Sequence, residues 1–134
     1  MYTSILVPVA TDHDRNVEGA FAVARQLCSP GGTIHALTVQ EHITAFSEGY
    51  VPHEVQVQIT DAIKADFDRI VPEDITERAF KHGAPAQQIL SYAQEIKADC
   101  IVIASHRPGF GDYLIGSTAG RVVRHATCAV HVLR

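Results

Sequence analysis

The chain has 134 residues, is 46% hydrophobic against 19% charged, and carries a formal net charge of -4. A chain of this length buries about two-thirds of its surface, enough for one core and not two, and such a composition excludes disorder. The acidic balance gives no footprint for a nucleic-acid backbone or an anionic membrane face, and no apolar run approaches the ~18 residues of a spanning helix.

Met1 leads straight into a strand-like run, with no basic or signal-like segment before it. Cys28, Cys100 and Cys128 are odd in number and form no CxxC pair. Both features lead us to expect a cytoplasmic protein with ordinary, buried, free thiols.

Ile5 to Ala10 opens the chain as a short, branched apolar run, and Ile34–Val39, Ile101–Ala104 and Ala129–Leu133 repeat its character. Runs of this kind predict parallel strands covered on both faces. Ile75 to Phe80 carries Thr76, Glu77 and Arg78 and reads as an edge strand. Between the runs the apolar period changes to 3.6. Val17, Ala20, Phe21, Ala24 and Leu27 form one helical stripe, closed by Ser29-Pro30-Gly31-Gly32. Val55, Ile59, Ile63, Phe67 and Ile70 form a second, entered through Pro52. Ile89, Leu90, Ala93 and Ile96 form a third, with Pro85 in its first turn, and Val122, Val123 and Ala126 a short fourth. The alternation predicts one α/β domain over residues 1–134, a mostly parallel five-stranded sheet with helices on both faces. Gln40 to Val51 is the longest irregular connection.

Ligands of such sheets bind beyond the carboxyl ends of the strands. Pro8–Asp14, Val39–His42 and Ser105–Leu114 are expected there. The stretch from Ala104 to Thr118 is the strongest candidate. Gly116 permits close backbone approach, Ser117 and Thr118 offer hydroxyls, and the amides of a helix starting there favour an anion. Arg107 adds a bidentate fork for phosphate. The same residues also suit a plain strand-to-helix connection capped by Ser117, and spacing alone leaves both readings open. A Walker A loop is absent because Ser117, not Lys, follows Gly116; a GxGxxG fingerprint starting at Gly109 fails at Leu114.

Ile5-Leu6-Val7-Pro8-Val9, Gly83 with Pro85, Ala98 to Val102, Gly116-Ser117, Val122 to Ala126 and Val130 to Arg134 together resemble the universal stress protein family, almost from end to end. Ser105-His106-Arg107-Pro108 with Tyr113-Leu114-Ile115-Gly116-Ser117 is similar to its bacterial F/G-type subgroup. The resemblance implies a Rossmann-like three-layer sandwich, a homodimer, and ATP in a cleft beside the first strand. It implies ATP contacts from Pro8, Val9, Ala10, Val39, Ala104, Ser105, His106, Arg107, Gly116, Ser117 and Thr118, with the backbones of Val9 and Val39 facing adenine. Two departures stand out. Ala104 and Arg107 replace the first two motif glycines, as in the subgroup, and one residue fewer precedes Gly116-Ser117. Ala10 stands where the family usually has an aspartate, and Asp12 lies two residues on as a partial substitute.

The eight histidines show no metal-ligand spacing, and His106 is the one that the resemblance puts in the nucleotide loop. No GxSxG elbow or separated nucleophile–base set supports dedicated catalysis, which leaves at most weak ATP hydrolysis or self-modification. Asp12 and Asp14 suit Mg²⁺ beside phosphates, or simple solvation. The expected partners are an adenine nucleotide and a second copy joined through the Cys128–Leu133 strand, with neither nucleic acid nor membrane. The open alternative is a nucleotide-free dimeric interaction module of the same fold.

Overall fold

The computed structural model describes residues 1–11, 16–41, 51–105 and 115–134. In chain order the elements are β1 (Tyr2–Pro8), α1 (Val17–Leu27), β2 (Cys28–Gln40), α2 (His53–Ile70), β3 (Glu77–His82), α3 (Pro85–Glu95), β4 (Cys100–Ala104), α4 (Ser117–His125) and β5 (Ala129–Leu133). All strand pairs are parallel, in the order β3-β2-β1-β4-β5. Strand order therefore reverses between β1 and β4, and β3 and β5 are the edges, β3 as its sequence predicts.

The short apolar runs are covered on both sides. Ile5, Val7, Ala36 and Val102 pack under Phe21 and Ala24 of α1 and Phe67 of α2. Leu6, Leu37, Ile101 and Ile103 pack under Ile89 and Ala93 of α3 and Val122 of α4. Alternate residues of each strand serve opposite layers, so neither face of the sheet tolerates a polar run.

Several local features position the strand ends. Asn16 caps α1 by accepting the Gly19 amide at 2.8 Å, with Glu18 in the first turn and Arg25 in the last. Gly83 adopts φ +131° between β3 and α3 and donates its amide to the Gln40 carbonyl at 3.0 Å. A side chain disfavours that φ, so glycine lets the chain turn directly from edge strand into Pro85 at the start of α3. At the opposite end of the sheet, Asp99 accepts from the Thr3 and Ser4 amides at 2.9 and 3.0 Å and from the Thr3 hydroxyl at 3.2 Å.

Burial pushes the Asp99 carboxyl up, but the hydrogen bonds from Thr3 and Ser4 outweigh it and hold the group below the usual carboxylate range. A depressed carboxyl contributes stability that is present above its unfolded pKa and lost as pH falls through the folded one. Asp99→Ala is therefore expected to cost about 1–2 kcal/mol near neutrality, discounted for partial exposure. The deficit should begin to shrink only as pH falls through about 4, and vanish below the still lower folded-state value of the carboxyl. Urea melts of both proteins across pH check this; a deficit that stays constant with pH contradicts the role given to the carboxylate.

Boundaries differ from the sequence expectation in three places. Ser29 to Gly32 does not close α1; the helix ends at Leu27 with extended Cys28 as its cap residue. The four residues instead form an irregular start to β2, where the register jumps from Tyr2↔Cys28 to Ser4↔Thr33, with Gly31 at φ +81°. Proline and glycine mark a departure from the ladder here, not a helix stop. The edge strand runs from Glu77 to His82 instead of Ile75 to Phe80, because Ile75 turns inward as a core residue. Val55 and Val123, read as parts of buried stripes, are exposed by 39% and 46%.

Candidate functional site

A cavity of about 390 Å³ opens at the carboxyl ends of β1, β2 and β4, beside the reversal of strand order. Of the expected residues, Pro8, Val9, Ala10, Val39, Ala104, Gly116, Ser117 and Thr118 all line it. Ser105 is 2% exposed and not part of that lining, and its buried hydroxyl has no hydrogen-bond partner among the described residues. Asp12, Asp14, His106, Arg107 and Tyr113 lie outside the described residues.

One end of the cavity is built by α4. Gly116 is the helix N-cap residue, and no side chain among the described residues caps the turn; Ser117, expected as a possible cap, is the first helical residue instead. The first-turn amides are thus left for whatever occupies the cavity. Gly116 has φ −58°, open to any residue, and an added Cβ would stand 3.7 Å from the Ser105 carbonyl, an ordinary contact. The fold does not require glycine there.

The other end is built by β1 and β2. Val9 donates its amide to the Leu37 carbonyl at 2.7 Å and accepts from the Thr38 hydroxyl at 2.8 Å. Its backbone groups are thus engaged with β2. Val39 differs. Leu37 serves the β1 side and Gln40 the β3 side, through its carbonyl to Gly83. Alternation along a parallel strand directs the amide and carbonyl of Val39 to the β1 side. They lie past the last β1 pair, Pro8↔Leu37, where the cavity begins.

Sequence reasoning missed the roof, whereas the rim residues fall in the segments expected at this edge. Ile59 and Ile63 of α2 line the cavity, although their stripe reads as plain core. The Thr60 hydroxyl donates to Gln40 Oε1 at 3.0 Å and ties this helix to the end of β2. Thr11, Gln40 and Glu41 complete the polar lining near that end. Their signal was present in the sequence: polar residues directly after an apolar parallel strand sit at the binding edge of the sheet.

The cysteines stand apart from this site. Burial pushes the Cys100 thiol up to about 11 and also raises Cys128, so neither is a ready nucleophile. All three are free, with Cys100 buried and the others half-buried. Among the described residues no three His, Cys, Asp or Glu side chains gather as a metal site. Among the same residues no helix is long and apolar enough to cross a membrane.

The likeness to known proteins spans the whole chain. Universal stress protein G of Shigella flexneri is 28% identical over 145 aligned residues, covering all of both chains, and that of Salmonella typhimurium is 29% identical over the same span. Among solved structures, hypothetical protein MJ0577 matches with a TM-score of 0.79 at 22% identity, over 99% of this chain and 96% of that one. Universal stress protein UspA from Lactobacillus plantarum matches with a TM-score of 0.65 at 26% identity, over 99% and 98%. A universal stress protein solved in complex with cAMP matches with a TM-score of 0.60 at 19% identity, over 99% and 97%. The sequence pattern of the universal stress protein family matches residues 1–134, and with the parallel sheet, its strand order and these relatives in view, the chain belongs to that family.

Proposed function

We propose that the cavity binds ATP and that the protein acts as a nucleotide-dependent stress-response or signalling component in the cytoplasm. The base lies at the β1–β2 end against the Val39 backbone, and the phosphates lie at the N-terminus of α4. One observation carries this reading: an uncapped helix start, opened by a glycine that the fold does not need, faces a cavity at the reversal of strand order. The buried Ser105 hydroxyl, without a partner among the described residues, adds a polar group beside the same end. The fold-level likeness to a protein solved with cAMP, an adenine nucleotide, agrees in ligand class. His106 and Arg107 are assigned to the phosphate end on the family resemblance, and Mg²⁺ at Asp12 and Asp14 accompanies the nucleotide in this reading. Dedicated catalysis is not part of it.

Native mass spectrometry of the purified protein tests it cheaply. A mass increment of one ATP per chain is expected. A protein that stays at its bare mass after incubation with millimolar ATP contradicts the proposal.

The second reading, a nucleotide-free interaction module, is favoured by Ala10, which leaves that position of the cavity wall without a carboxylate. Both readings include a homodimer through β5. Among the described residues that strand pairs only with β4, while Leu133 spends its carbonyl on the Ser105 amide at 2.8 Å, so the outer edge offers the backbone groups of Val130 and Val132. Two such edges pairing about a two-fold axis make an isologous contact. Val130→Pro removes a ladder amide and should halve the mass seen by light scattering while the circular dichroism of a folded chain persists. A folded variant with unchanged dimer mass moves the contact to another surface.

A further inference from the structure

The cavity has two electrostatically distinct ends. At one, the first turn of α4 presents amide hydrogens and the positive end of a nine-residue helix. At the other stands Glu41, the only ionisable side chain among the described residues lining the cavity. No hydrogen bond or ion pair holds its carboxylate among those residues, and it directly follows Gln40 at the end of β2. β2 and β4 flank β1, so the two ends lie two strand spacings apart, about 10 Å. A ligand that satisfies both must carry an anion at one end and hydrogen-bond donors at the other.

Resting on the ATP reading above, we propose that Glu41 is the sugar-reading residue of this cavity: its carboxylate accepts hydrogen bonds from the ribose hydroxyls and makes the site selective for ribonucleotides over deoxyribonucleotides. The chemistry suits the position. With Val39 turned toward the base and Ala10 contributing only a methyl group, Glu41 is the one charged acceptor at that end among the described residues. A carboxylate accepts from two vicinal hydroxyls at once, which a threonine or a single carbonyl does less well. At an exposed rim the effect falls at the low end for a charge-assisted bond, about tenfold in affinity.

Calorimetric titrations of the full chain with ATP, 2′-deoxy-ATP and 3′-deoxy-ATP test the assignment, using wild type, Glu41→Ala and Glu41→Gln. Wild type is expected to bind ATP about tenfold more tightly than either deoxy analogue. Glu41→Ala should bind all three alike, and more weakly than wild type binds either deoxy analogue, which still keeps one of the two hydroxyls; Glu41→Gln should keep part of the preference. Melting curves without nucleotide should be unchanged in both variants, since the side chain is exposed. Equal wild-type affinities for ATP and its deoxy analogues overturn the role of Glu41, as does a preference that survives in Glu41→Ala. Failure of all three nucleotides to bind wild type overturns the ATP reading, and this assignment with it.

Discussion

Gly116→Val should abolish ATP binding while leaving the fold intact. The two halves of this expectation come from different observations. The backbone at Gly116 has φ −58°, and among the described residues a Cβ there meets only the Ser105 carbonyl at 3.7 Å, so neither the backbone nor the first side-chain carbon demands glycine. The same side chain occupies the space directly over the free amides of the first turn of α4. A phosphate kept from those donors loses at least two charge-assisted hydrogen bonds, so affinity should fall roughly a hundredfold or more. Gly116→Ala should lose less, because a single methyl covers less of the turn. Thermal melting of the unliganded variants should match wild type within about 2 °C. A Gly116→Val protein that binds ATP normally places the anion site elsewhere.

The second large effect is expected at Arg78, far from any ligand. Its guanidinium donates to the carbonyls of Ile75 at 2.8 Å, Pro72 at 3.0 Å, Asp68 at 3.1 Å and Val71 at 3.4 Å. Those carbonyls end α2 and form the turn into β3, where helix geometry leaves acceptors without partners. The Arg78 side chain is only 23% exposed, so water replaces it poorly. Arg78→Met keeps the apolar stem and removes the donors, and should cost about 3 kcal/mol, or roughly 10 °C in Tm. Because α2 carries Ile59 and Ile63 over the cavity, nucleotide affinity should fall too, although Arg78 touches no part of the site. Loss of less than about 1 kcal/mol would mean that water serves these carbonyls as well as the guanidinium does.

The layers were legible in the sequence because buried parallel strands and one-sided helices leave opposite signatures. Ile101 to Ala104 is apolar at every position and is buried throughout; Phe21 and Ala24 recur at helical spacing and meet the sheet. The binding edge was legible for a related reason, since Pro8, Val39, Ala104 and Gly116 end strands or begin a helix on the same side. Less legible was anything that depends on distance between elements. Ile59 and Ile63 have the pattern of core residues, and nothing in that pattern tells a helix pressed on a sheet from one roofing a cavity. Ser29 to Gly32 carries the residues of a helix stop, yet the helix had already ended and the same residues kink a strand. The backbone of Val9 was expected to face a ligand, but Thr38 and Leu37 hold it, a pairing set by register rather than by residue type.

The central claim is that the cavity recognises a nucleotide through its phosphates at α4 as well as through its base at β2. Calorimetry of the wild-type chain with ATP and with adenosine, under identical salt, tests this most directly. The account predicts one ATP per chain and adenosine at least tens of fold weaker, since adenosine leaves the first-turn amides unoccupied. Equal affinities for the two ligands, or no binding of either, would contradict it.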